Sequence, residues 1–332
     1  MNKLRIGMVG MGFIADWHYQ GFADIPEADI VAMTQDLYGN EQKQQNLLNR
    51  LHEKCNRWNI KAIHSFDEMV NDPDIDALII GSINPLHFDQ IKIAIAKRKQ
   101  LMVEKPVVIN MGHMHQIKSL VQESGIRLFP AHNFVYRNAV IKAKEIIDQG
   151  KIGNIVQASF IVTHTISHEH ATGWRTKKEL AGGGALMESG LHLVYQSLYL
   201  LGKPLKVQAF TSNLSLKQLE GEDIAQVNLL YPDNSMAVIM QSWASNFGNH
   251  SNGIRIIGTE GEIAITDALY LNGEKLDSDV EYGSTFINQA KAFTDYIFHD
   301  QAPLSTLDDA EDTLRIIQSA YRSTDKDRVI IL

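Results

Sequence analysis

Glu188 and His192 stand four residues apart in a segment that reads as one helix, so their side chains share a face and can address one bound molecule. Histidine is the side chain best suited to take or give a proton near neutral pH. Far earlier in the chain, Lys105 follows a short apolar run that reads as a parallel strand. Open parallel sheets bind ligands at that carboxyl edge, where an ammonium can hydrogen-bond a reacting oxygen and stabilise alkoxide character. Taken singly, each residue fits a structural role at least as well: His192 as a satisfied helix histidine, Lys105 as a solvated turn lysine.

A second chemical signal lies at the start of the chain. Gly10-Met11-Gly12-Phe13-Ile14-Ala15 follows the first strand and opens the first helix, the setting required of a dinucleotide-binding loop. Gly10 allows the tight turn, Gly12 lets a pyrophosphate approach the backbone, and Ala15 keeps the helix close to the sheet. The helix N-terminus presents unpaired N–H groups and partial positive charge to the phosphates. The expected ribose contact is Asp36, or Gln35 beside it, after the second strand. With no arginine next to it to hold a 2′-phosphate, NAD is favoured over NADP.

The elements that must position these residues fall into two regions. Up to about residue 132, apolar runs at Leu4–Val9, Asp29–Met33, Lys61–His64, Ala77–Ile80, Leu101–Val103 and Ile126–Phe129 alternate with helical patterns. This predicts a doubly wound (Rossmann) α/β sheet over 1–132. Longer, alternating strands after about residue 150 predict a mostly antiparallel open sheet in an α+β domain over 133–332. One helix is predicted at Gly184–Leu201, with others near Thr285–Phe298 and Asp308–Arg322.

Composition narrows the function classes. The 332 residues suffice for two cores. A net charge of −8 with dispersed basic residues argues against nucleic acid as a partner. The single cysteine, Cys55, excludes an internal disulfide framework and fits a reducing cytoplasm. The first strand begins too early for a signal peptide, and no apolar run is long enough to span a membrane, so a soluble cytoplasmic protein is expected.

Several motifs together resemble the glucose-fructose oxidoreductase / inositol dehydrogenase (Gfo/Idh/MocA) family over nearly the whole chain. They are the glycine loop, Asp74 to Ile80 leading to Asn84-Pro85-Leu86-His87, Glu104-Lys105-Pro106, Asn133 to Arg137, Trp174-Arg175, and Gly182-Gly183-Gly184 followed by Glu188 and His192. The resemblance implies hydride transfer between a nicotinamide, NAD or NADP, and a hydroxyl carbon of a sugar, cyclitol or related polyhydroxy substrate. It further implies a homodimer or homotetramer formed through the open face of the second sheet.

On this reading Lys105, Glu188 and His192 are catalytic. Glu188 stands where the family pattern has aspartate, so its carboxylate would orient the imidazole from a different place. The cofactor set is Gly10, Gly12, Phe13, Ile14, Gln35, Asp36, Ser82, Asn84, His87, Glu104 and Lys105, and a cis Lys105-Pro106 peptide is expected. Lys105, Asn133, Tyr136, Arg137, Trp174, Arg175 and His192 are the substrate candidates. Asn84 also fits a helix cap, and Tyr136, Arg137, Trp174 and Arg175 also fit ordinary packing between domains. His164, His168 and His170 read as a substrate-facing or solvated loop, with no metal assigned. Two other readings remain: a redox-assisted glycosidase that returns its NAD unchanged, and a non-enzymatic NAD-binding regulator.

Overall fold

The structure is a computed structural model that describes residues 3–167, 170–247, 249–277 and 281–332. The chain divides into two compact units. The first comprises Met1–Val108, Gly112–Asn133 and Tyr282–Leu307, and the second Ile109–Met111, Phe134–Glu281 and Asp308–Leu332.

In the first unit the strands are β1 (Leu4–Val9), β2 (Ala28–Thr34), β3 (Lys61–Ile63), β4 (Ala77–Ile80), β5 (Gln100–Val103) and β6 (Leu128–Pro130). They form one parallel sheet in the order β3-β2-β1-β4-β5-β6. The central strand β4 is Ala-Leu-Ile-Ile and buried throughout, as a strand covered on both faces must be. Strand order reverses between β1 and β4, so the loops leaving these two strands flank the ligand crevice of this fold.

The connecting helices are α1 (Phe13–Phe22), α2 (Glu41–Trp58), α3 (Phe66–Asn71), α4 (Asn84–Ala96) and α5 (Met111–Ser124). Side chains start two of them: Asn40 accepts the Lys43 N–H ahead of α2, and Ser65 accepts the Glu68 N–H ahead of α3. Cys55 is buried in α2, and burial pushes its thiol up to about 11.

The expected simple division at 132/133 needs correction, because Tyr282–Leu307 returns to the first unit. This segment contains α9 (Tyr282–His299), whose aromatic side chains pack on the sheet and on α1. Phe286 stacks on Trp17 at 5.9 Å, and Phe293 meets Phe22 and Phe129 edge-on. Arg127 donates to the Ile297 carbonyl and pairs with Asp300.

The second unit holds α6 (Asn138–Asp148), β7 (Ile155–Thr163), α7 (Lys178–Ala181), α8 (Leu191–Leu201), β8 (Lys206–Ser212), β9 (Ile224–Leu230) and β10 (Met236–Ser242). These are followed by β11 (Gly253–Gly258), β12 (Glu262–Ile265), β13 (Leu269–Leu271), β14 (Glu274–Asp277), α10 (Leu307–Lys326) and β15 (Ile330–Ile331). The nine strands order as β14-β13-β12-β11-β7-β10-β9-β8-β15. Their pairings are antiparallel except for β10 with β7, which run parallel.

Alternation sends Ala158, Phe160, Val227 and Ile239 into the core. Ser159, Asn228, Val238 and Arg255 form one row on the opposite face, in register across β7, β9, β10 and β11. Among the described residues, no helix is long and apolar enough to cross a membrane.

Candidate active site

In the first unit the glycine loop is built as its spacing predicts. Gly10 has φ +99°, and a Cβ there would lie 2.4 Å from the Gly81 carbonyl oxygen, so this glycine is required by both backbone angle and close approach. Gly12 differs: it is the N-cap of α1, and a Cβ added to it meets nothing within 4 Å. The space beside Gly12 is therefore not used by the protein's own packing. No side chain caps α1, and Phe13 is 73% exposed, so the helix N-terminus is open to an anion. Ile14 is half-buried beside Gly81, and Ala15 is buried. These features fit a dinucleotide pyrophosphate.

Gln35 and Asp36 separate in role. The Gln35 side chain accepts the Met11 N–H at 3.0 Å and donates to the Asp36 carbonyl at 3.0 Å, which commits both ends of its amide to bracing the loop. Asp36 keeps a half-buried carboxylate, held above its usual range by desolvation while a hydrogen bond from Gln90 opposes that shift. Lys54, which the sequence did not single out, also braces the loop by donating to Met11 O and pairing with Asp16.

Ser82 leaves β4 and donates to Gln90 at 2.6 Å. The N-cap of α4 is Ile83, with Asn84 as the first helical residue, so Asn84 does not take the capping position. His87 requires a correction as a ribose contact. It is fully buried, with Nδ1 2.9 Å from Pro106 O and Nε2 3.1 Å from Ser82 O, so it ties the β4 loop to the turn after Lys105. Glu104 is likewise turned inward: Oε1 meets His18 Nε2 at 2.8 Å and Oε2 accepts the Lys105 N–H at 3.1 Å. The ammonium of Lys105 remains the chemical group of the Glu104-Lys105-Pro106 motif, and the Lys105-Pro106 peptide is cis.

His132, just beyond β6, has its pKa pushed down to about 3 by burial, with the positive charge of Lys105 adding to the effect. In the unfolded chain the same imidazole titrates near 6.5. Between these values the unfolded state binds the extra proton, so stability is fully present above about pH 6.5 and declines as pH falls toward 3. The slope from this one group approaches about 1.4 kcal/mol per pH unit. Urea unfolding of wild type and His132→Gln between pH 7 and 4 is expected to show a shallower decline in the variant. Parallel declines would assign the acid sensitivity elsewhere.

In the second unit the segment that carries Glu188 and His192 begins irregularly. Leu186–Gly190 forms a π-helical turn that runs into α8, and such turns concentrate at functional sites. The preceding Gly182-Gly183-Gly184 has a structural cause. A Cβ on Gly184 would lie 2.0 Å from Glu222 O, so only glycine admits this crossing. Glu222, also missed in the sequence, is buried and accepts the N–H groups of Gly184 and Leu186 and the hydroxyl of Tyr321. Desolvation raises its pKa, and the donors around it resist that shift.

Glu188 sits on the π turn, where Oε1 accepts from Arg175 Nε at 2.8 Å and meets His170 Nε2 at 2.9 Å. One member of the expected histidine loop thus joins the carboxylate; burial lowers the pKa of His164, and His168 lies outside the described residues. Arg175 also covers the Trp174 ring at 4.5 Å. His192 is half-buried on α8, with Nδ1 2.7 Å from the Tyr195 hydroxyl, which also accepts the Phe134 N–H. A phenolic oxygen has room for both donors, so Nδ1 can carry its proton while Nε2 remains a proton acceptor. Tyr195 was legible in principle, three residues along the same helix face.

Asn133 donates to Thr285 at 3.0 Å within the first unit. Tyr136 is buried, which makes it a packing residue first, and the Arg137 guanidinium lies over the Phe134 ring.

Glu188→Gln is expected to lower turnover several-fold and move the acid limb of the rate profile to lower pH, because a carboxylate favours the charged form of nearby imidazoles. Steady-state rates from pH 5 to 10 check this. An unmoved acid limb would leave Glu188 a purely structural partner of Arg175.

Comparison with known proteins places both regions. Residues 4–132 match the model described as an oxidoreductase family with NAD-binding Rossmann fold, and residues 140–264 match the GFO/IDH/MocA C-terminal domain. A trans-1,2-dihydrobenzene-1,2-diol dehydrogenase of Mus musculus is 25% identical, over 82% of this chain and 79% of that protein. A 1,5-anhydro-D-fructose reductase of Ensifer adhaerens is 25% identical over 61% of this chain, a match spanning 60% of that relative. The fold is also that of a levoglucosan dehydrogenase solved with NADH and levoglucosan, at TM-score 0.86 and 20% identity over 99% of each chain.

Proposed function

Because the chain belongs to the GFO/IDH/MocA family and is an NAD(P)-binding oxidoreductase, we propose that it transfers a hydride between nicotinamide and a hydroxyl carbon of a sugar, cyclitol or related polyhydroxy compound. The observation that carries this reading is the unused space at Gly12 before an uncapped α1, in a chain that also carries Lys105, Glu188 and His192. The names of the relatives, a sugar-derived reductase and a diol dehydrogenase, support a substrate with adjacent oxygens.

The backbone from Gly10 to Ile14 would hold the pyrophosphate, Asp36 would take the adenosine ribose, and Ser82 and Asn84 would serve the second ribose. When bound, the nicotinamide supplies the hydride acceptor or donor. On the first unit the Lys105 ammonium would stabilise a developing alkoxide, and on the second unit His192 would act as proton acceptor at Nε2 while Tyr195 holds Nδ1. Glu188 fixes Arg175 and His170 on the same unit, and Trp174 and Arg137 serve substrate recognition.

A fixed carboxylate at Asp36 repels a 2′-phosphate, so kcat/KM is expected to be higher with NAD than with NADP. Parallel assays with both nucleotides check this, and a higher value with NADP would remove Asp36 from the ribose. Net formation of reduced nicotinamide distinguishes this activity from redox-assisted glycoside cleavage.

We propose a cytoplasmic protein, since a sequence with the single cysteine Cys55 fits a reducing compartment. It works as a homodimer or homotetramer through the open face of the second sheet. That face has a groove of about 910 Å³ lined in part by Leu230, Met236, Val238 and Ile257, and Met236 is 59% exposed.

A further inference from the structure

We propose that Gln90 is a specificity-determining residue, a positioning residue that holds the Asp36 carboxylate in the orientation that selects NAD over NADP. The inference rests on the reading of Asp36 as the ribose contact. Asp36 lies just beyond β2 and Ser82 just beyond β4, and these two strands flank β1, which carries the glycine loop. Gln90 projects from α4 and is buried at 5% exposure, 54 residues from Asp36 in sequence. Its amide bridges the two loops: Oε1 accepts the Ser82 hydroxyl at 2.6 Å, and Nε2 donates to Asp36 Oδ2 at 3.1 Å.

The direction of this bridge is fixed by chemistry. An ionised carboxylate only accepts hydrogen bonds, so the NH₂ end of the amide must face Asp36. The oxygen end then faces Ser82, whose hydroxyl can rotate to donate. Among the described residues, no side chain donates to Asp36 Oδ1, which leaves that oxygen for a ribose hydroxyl. Burial works against the charged carboxylate, and the Gln90 hydrogen bond works for it. Removing the amide therefore frees the carboxylate to turn and to neutralise, and both changes weaken its grip on a 2′-hydroxyl and its repulsion of a 2′-phosphate.

The test is calorimetric titration of the full chain with NAD and with NADP, a readout independent of catalysis, after thermal melts establish that each variant is folded. Wild type, Gln90→Met, Gln90→Glu, Asp36→Ala and the Gln90→Met/Asp36→Ala double variant are compared. Methionine keeps the volume and removes the donor, and glutamate keeps the shape and places a like charge against Asp36. In Gln90→Met the ratio of NAD to NADP affinity is expected to fall about tenfold, the scale of one lost hydrogen bond to a charged group. Gln90→Glu should lower the ratio as well, and the double variant should match Asp36→Ala, because the two residues act through one carboxylate.

If Asp36→Ala collapses the ratio while both Gln90 variants leave it at the wild-type value, or weaken both nucleotides equally, Gln90 is structural and the proposal fails with the Asp36 reading intact. An unchanged ratio in Asp36→Ala overturns that reading and the proposal with it. Should Gln90→Met fail to fold, Gln90→Glu decides alone.

Discussion

His192→Ala and Lys105→Met are each expected to reduce turnover by about a hundredfold or more, the scale of losing a general base or a donor to a developing oxyanion. Dinucleotide affinity should change much less, because the glycine loop is braced by Gln35 and Lys54 rather than by either residue. In His192→Ala the Tyr195 hydroxyl keeps the Phe134 N–H, so the local backbone retains its partner and the loss is chemical rather than structural. In Lys105→Met a positive charge disappears near buried His132, which relieves that imidazole. Pre-steady-state and steady-state rates on folded variants check both. Near-wild-type turnover in His192→Ala would move the proton acceptor to another residue.

The second large effect concerns the cofactor loop. Gly12→Val should abolish measurable binding of NAD and NADP while leaving the melting temperature within a few degrees of wild type. The backbone at Gly12 has φ −64° and ψ −177°, which any residue adopts, and its Cβ direction is empty of protein atoms. The added Cβ therefore enters space the protein leaves open, which the proposed pyrophosphate would occupy. Gly10→Ala is the contrasting case: its Cβ would run into Gly81 backbone at φ +99°, so this variant should lose stability as well as binding. Calorimetric titration beside thermal melts separates the two. Unchanged affinity in folded Gly12→Val would take the loop out of the cofactor site.

Much of the first unit was legible because its signals are local. The run Ala77–Ile80 is uniformly apolar, as a central parallel strand must be, and the loop at Gly10 to Ala15 keeps its spacing in the structure. Helix α6 went unpredicted although Ala139, Val140, Ala143 and Ile146 form a buried stripe at helical spacing. The short strands β13, β14 and β15 hold too few residues for an alternation to register.

Other features depend on partners far apart in sequence. The return of α9 to the first unit rests on its packing against Trp17, Phe22 and Phe129. The anchoring of the glycine triplet depends on Glu222 and Tyr321, 99 residues apart. Residue type together with the family resemblance put Lys105, Glu188 and His192 forward as candidates, whereas their environments needed coordinates. His87 and Glu104 carry the chemistry of ligands yet are spent on holding the Lys105 turn. The carboxylate of Glu188 meets Arg175 and His170, connections that helix spacing does not contain.

The most direct test of hydride transfer is the absorbance of reduced nicotinamide when the protein is mixed with NAD or NADP and a panel of sugars, cyclitols and sugar acids. A substrate-dependent rise is expected with at least one polyhydroxy compound, larger with NAD and lost in Lys105→Met. Tight dinucleotide binding with no change in absorbance across the whole panel, and none in the reverse direction with the corresponding ketones, would contradict it.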